Sequence, residues 1–151
     1  MTASVTPFAL DLDPPLQTAR EGIDSRRGLL FRVGGNPVGL GESTPLVPFT
    51  EPFEASQRIL DRAANAYEAG GWTGAFRVVS ETRNGTLRYP AARHAVSLAV
   101  LDRRAKQAGS PLHQFLGGVS ADPVRVNATI GDGTPKATAA AAKTAIANGF
   151  R

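Results

Sequence analysis

Cysteine is absent from all 151 residues. Its absence excludes disulfides and thiolate metal sites and fits a reducing compartment, so a cytoplasmic location is expected. No apolar run approaches the ~20 residues a membrane helix needs, so no membrane partner is expected. The opening stretch, MTASVTPFALDLDPP, has neither a basic start nor a long apolar core, and a secretory leader is not expected. Repeats are lacking. The one biased segment, Ala139 to Ala142, reads as helix propensity rather than disorder. Histidine is scarce, and His94 and His113 are not spaced as a metal pair.

The net charge is +4 and is carried mainly by arginine. A basic balance raises the question of nucleic acid. The arginines are scattered along the chain, no aromatic residues alternate with them, and nucleic acid is not an expected partner. The length fits one ordinary domain, or a small domain and part of another.

Alternation over Val5 to Leu12 predicts a strand with Phe8, Leu10 and Leu12 on one face, ended by Asp13-Pro14-Pro15. LQTAREGIDSRR is polar and aperiodic and reads as a loop. Gly28 to Val33 and Val38 to Glu42 predict a hairpin across the turn Gly34-Gly35-Asn36-Pro37, giving a small antiparallel meander. A helix is expected over Pro52 to Ala69, with Thr50 as N-cap, Glu51 and Glu54 at the positive end of its dipole, Ile59, Leu60, Ala63, Ala64, Ala66 and Tyr67 on its apolar face, and Gly70-Gly71 as its stop. Trp72 to Leu87 fits a short helix, a strand or a loop. Pro90 opens a second helix, Ala91 to Ala108, closed by Gly109, and SPLHQFLGG reads as one further helical turn. After Asp122-Pro123 the pattern changes: Val124, Val126, Ala128 and Ile130 predict a strand, and Thr134-Pro135 opens an alanine-rich helix stopped by Asn148-Gly149. The expected class is α+β, with one domain over residues 1-119 and a strand-helix step over 120-151.

Four stretches in order resemble the enolase superfamily. GLGESTPL, Gly39 to Leu46, is similar to the G-x-G-E-x-x-P stretch of its N-terminal capping domain. RRGLLFRV resembles the strand before it, ARHAVSLAVLDRRAKQAGSPLHQFLGG the long helix and glycine-ended turn that finish the cap, and VNATIGDGTP with its helix the first βα unit of the barrel. Within the mandelate racemase and muconate-lactonising branch, the chain looks most like o-succinylbenzoate synthase.

The resemblance implies an enolase-like capping domain, an antiparallel meander plus helices, followed by the first βα unit of a truncated TIM barrel. It implies a magnesium-dependent carbon-oxygen lyase, a dehydratase of menaquinone biosynthesis, acting on a small carboxylate. In such enzymes Mg2+ stabilises an enediolate while a lysine removes the proton beside a carboxylate; a second negative charge is tolerable only beside a cation and aimed donors. The family's K-x-K pair falls beyond Arg151, and Glu42, Asp122 and Asp132 do not replace the missing ligands. Hence the chain alone is expected to bind no metal, to hold no catalytic residue and to show no turnover. A dipeptide epimerase or a muconate cycloisomerase fragment is the alternative within the class. Outside it stands a non-catalytic interaction module whose barrel strand pairs with the missing C-terminal barrel or with another copy.

The family's mobile cap loop is similar to Thr18–Arg27, where Thr18 and Arg20 would face an anionic substrate, since arginine matches carboxylate geometry; a solvated Arg20 is the simpler alternative. In the apolar loop Pro45 to Phe49, Leu46 and Phe49 either line a substrate pocket or staple the following helix. Glu42 is read as structural.

Overall fold

The computed structural model describes residues 2–17, 22–119, 124–130 and 134–150. Three strands form one antiparallel sheet in the order β1 (Ala3–Gln17), β2 (Gly22–Val33) and β3 (Gly39–Ser43). Strand β2 sends Leu29, Phe31 and Val33 to one face, and all three are fully buried. The β2–β3 register sets Phe31 against Gly41 and Val33 against Gly39. The edge strand β1 and the central strand β2 are both longer than the alternation predicts. Asp13-Pro14-Pro15 does not end β1, and Gly22 to Arg27, expected as loop, belongs to β2. Proline is tolerated in an edge strand, where its missing N–H costs no ladder bond.

Helices cover the buried face. Helix α1 spans Phe53–Val79 and buries Ile59, Leu60, Ala63, Ala64 and Tyr67 of the predicted stripe, while Ala66 is half-buried. Gly70-Gly71 does not stop it. The backbone breaks there, with Gly71 at φ 62° and ψ −155°, and helix resumes through Trp72 to Val79. That conformation is open to glycine alone at low cost, so the pair acts as a kink. The N-cap position is Pro52, without a side-chain cap, rather than Thr50. A short hairpin follows, β4 (Thr82–Arg83) with β5 (Thr86–Leu87), which settles the ambiguous segment as helix then hairpin.

Helix α2 (Pro90–Gln107) begins and ends as predicted. Its buried face is made of small residues, Ala92, Ala95 and Ala99, with Val96. These meet Gly39 and Gly41 of β3. A Cβ on Gly41 would collide with the Ala95 carbonyl, and one on Gly39 with the Ala99 carbonyl. The G-x-G pattern therefore lets strand backbone rest on helix backbone. Leu40 and Glu42, which alternate with them along the strand, are exposed. The turn α3 (Leu112–Phe115) then closes at Gly117, whose φ is 92°.

Two compact units partition the chain: Met1–Ala9 with Arg27–Ser120, and Leu10–Arg26 with Ala121–Arg151. The second holds α4 (Pro135–Ala147), capped as expected by Thr134, whose Oγ1 accepts the Ala137 N–H at 3.2 Å. The predicted strand over Val124 to Ile130 is not formed. Those residues carry no ladder, and Val124 and Val126 are exposed. Alternation supplies two faces, but a strand exists only where a neighbour accepts its hydrogen bonds. No helix among the described residues is long and apolar enough to cross a membrane.

Candidate functional site

The G-x-G-E strand, the loop after it and the start of α2 border an open cavity of about 530 Å3 lined by Glu42, Thr44, Thr50, Pro90, Ala91, His94 and Leu98. Local hydrogen bonds fix the loop. Leu46 O accepts the N–H groups of Phe49 and Thr50 at 2.8 and 3.0 Å, and Thr50 Oγ1 accepts the Leu46 N–H at 2.7 Å. Thr50, expected to cap the helix, instead closes its own loop.

Below the loop lies a buried polar seam. Glu51 reaches across to the first turn of α2, where Oε1 accepts the Ala92 N–H at 2.8 Å and Oε2 the Ala91 N–H at 3.2 Å. A carboxylate there satisfies two orphan donors and complements the helix dipole. Ser43 and Ser56, both buried, share a hydrogen bond of 2.8 Å. The loop is thus held at its start, its middle and its end.

The predicted site residues fall as follows. Thr18 and Arg20 lie outside the described residues, as do Asp122 and Asp132. Leu46 is half-buried at the base of the turn, whereas Phe49 is 81% exposed. Neither lines the cavity. Glu42 is exposed and accepts a hydrogen bond from Thr44 Oγ1. His94 borders the cavity, and His113, on α3, is exposed and distant in sequence from it. Sequence reading assigned Glu51 to the dipole of its own helix and missed its capping of α2, because a helix cap supplied from 40 residues upstream has no local signature.

Among the described residues no three His, Cys, Asp or Glu side chains come together as a metal site. Magnesium needs converging oxygens, so it does not fit these residues. No lysine lines the cavity to serve as a base.

No protein-family model matches the chain. The structure nonetheless superposes along nearly its whole length on dipeptide epimerases. The L-Ala-D/L-Glu epimerase of Bacillus subtilis is 25% identical over 95% of this chain and 40% of its own. Its substrate-liganded structure matches with a TM-score of 0.78 over 99% of this chain and 44% of that one, at 22% identity. A dipeptide epimerase from Methylococcus capsulatus, complexed with Mg and L-Arg-D-Lys, gives 0.77 at 27% identity over 99% of this chain and 43% of that chain. An enolase family member from Agrobacterium tumefaciens, with homology to dipeptide epimerases, gives 0.76 at 24% identity over 95% and 42%. The fold matches the N-terminal capping domain of enolase-superfamily structures. The meander and helices expected from the resemblance are those of this capping domain, and the resemblance to that superfamily is supported. The finer likeness to o-succinylbenzoate synthase, with its lyase and menaquinone assignments, is not, since these relatives are epimerases. The chain spans about 40% of the length of the curated relative it matches.

Proposed function

We propose that this chain is the capping part of a dipeptide epimerase, with residues 1-119 forming the cap and 120-151 the first unit of a barrel. The observation that carries the reading is the match of 99% of the chain to such epimerases at TM-scores of 0.77 to 0.78. Epimerisation breaks the C–H bond beside a carboxylate and restores it on the opposite face, with no net change in composition. In a dipeptide only the C-terminal residue has a free carboxylate beside its α-carbon, so its proton is the one removed.

In this reading the chain's contribution is cover and selection: a cap that shuts water away from the charged centre and reads the dipeptide side chains. In this role Leu46 and Phe49, on the fixed loop, would contact the dipeptide, and Thr18 and Arg20 would meet its anionic end. In this reading, the metal and the lysines belong to the barrel.

The test is proton NMR in D2O, following loss of the C-terminal α-proton of L-Ala-L-Glu and L-Leu-L-Tyr. The chain is assayed alone and with a separately supplied C-terminal barrel half. Exchange that needs both halves supports the proposal. Exchange by the chain alone moves the catalytic groups onto it, and no exchange with either arrangement removes the epimerase reading. Dehydration of the o-succinylbenzoate synthase substrate by the reconstituted pair would restore the lyase assignment.

A further inference from the structure

The kink in α1 leaves a feature that capping does not use. Immediately after Gly71, Trp72 stands 52% exposed. Its ring lies 5.9 Å from that of Phe76. Together with Val96, Ser97, Val100, Leu101 and Arg104 the two rings line a cavity of about 180 Å3. A second cavity of about 310 Å3 shares Trp72, Val100 and Arg104 and extends the trough past the kink to Tyr67 and Arg103. The floor is aromatic and aliphatic, and the charged groups at its edge are all cations.

Arg93 places its guanidinium 4.8 Å over the Phe76 ring. Arg103 donates from Nε to the Pro37 carbonyl at 3.2 Å. Arg104 is exposed and makes no ion pair with a described residue. No acidic side chain lines either cavity. Nearby carboxylates are engaged elsewhere: Asp102 holds Lys106 at 2.7 Å and the Leu40 N–H at 2.8 Å, and Glu81 holds Arg88 at 2.7 Å.

We propose that this trough is a docking site for an acidic peptide segment of a partner protein, an apolar anchor entering beside Trp72 while flanking carboxylates pair with Arg104 and Arg93. Three observations favour that occupant. A half-exposed tryptophan in a concave apolar site is the type of residue that dominates interface energetics. Unpaired guanidinium groups bind carboxylates by charge-assisted, bidentate hydrogen bonds. A two-fold contact between copies of this chain would bring the cationic rim against itself, which disfavours self-association. The strained Gly71 fits the same role, since its glycine-only backbone is what delivers Trp72 to this face.

Trp72 is the only tryptophan in the sequence, so intrinsic fluorescence reports on the trough alone. The probe is an acetylated Glu-Asp-Leu-Phe-Glu-Asp peptide titrated into the full chain, with its Gln/Asn counterpart as control. A saturable blue shift is expected with the acidic peptide, at least about tenfold weaker with the neutral one and in Arg104→Glu, as loss of one charge-assisted pair implies. Arg104→Glu lies on an exposed position, and an unchanged circular dichroism melt verifies its fold. Trp72→Ala, followed by calorimetry, should abolish the binding heat. An unshifted spectrum, equal affinity for both peptides, or wild-type affinity in Arg104→Glu would each overturn the proposal. A blue shift that grows with protein concentration without peptide would assign the trough to a second copy and overturn it too.

Discussion

Glu51 and Ala92 are 41 residues apart, yet the Glu51 carboxylate receives the Ala92 backbone N–H at 2.8 Å in a buried site. The contact ties the end of the 44–50 loop to the first turn of α2. Removing it by Glu51→Ala strands two buried donors, at a cost of about 2–3 kcal/mol. A thermal melt should fall by about 5–10 °C. Glu51→Gln keeps one acceptor oxygen and should lose less. An Ala variant that melts with wild type would mean water replaces the carboxylate.

The Ser43–Ser56 pair makes a second, independent prediction. Each hydroxyl is the other's buried partner, so Ser43→Ala or Ser56→Ala alone leaves an unsatisfied group and costs about 1–3 kcal/mol. The double variant should cost clearly less than the sum, because the stranded hydroxyl goes as well. Urea unfolding of the four proteins measures this directly, and strict additivity would deny the coupling.

Gly41→Ala tests the strand-on-helix contact. The added methyl meets the Ala95 carbonyl, a backbone atom that cannot rotate away, and destabilisation of about 3 kcal/mol or more is expected. Gly35→Ala is the matched control. Its added Cβ meets nothing within 4 Å, so its melting temperature should hold or rise slightly. Similar melts for the two variants would show that β3 and α2 separate readily.

Magnesium should not stabilise the chain on its own. A ligand that binds only the folded state raises the melting temperature by mass action. With no three metal-ligating side chains grouped among the described residues, millimolar Mg2+ should leave the melt and the calorimetric trace flat. A saturable heat of binding would place metal ligands in this chain and reverse the division of labour proposed for cap and barrel.

Local chemistry made much of the cap readable. Pro90 and Gly109 bracket α2, and Ile59, Ala63 and Tyr67 mark the inner face of α1, because these signals act within a few residues. Signals that depend on distant partners misled. Gly70-Gly71 has the composition of a helix stop, but helix resumes beyond it with Ala75 and Val79 reaching the core. Val124 to Ile130 has the alternation of a strand but lacks a neighbour. At the site, Leu46 and Phe49 were visible as an apolar loop, whereas the Glu51 clamp and the Trp72 trough arise only when α1 and α2 come together.

The seam where Gly39 and Gly41 press on Ala95 and Ala99 contains almost no rotatable side chain. A leucine-rich layer absorbs a shift by switching rotamers; this one has nothing to switch. Strand β3 and helix α2 must therefore travel as one piece, and any bending within the cap is pushed outward to the Gly70-Gly71 break, the place where amide exchange should first betray it.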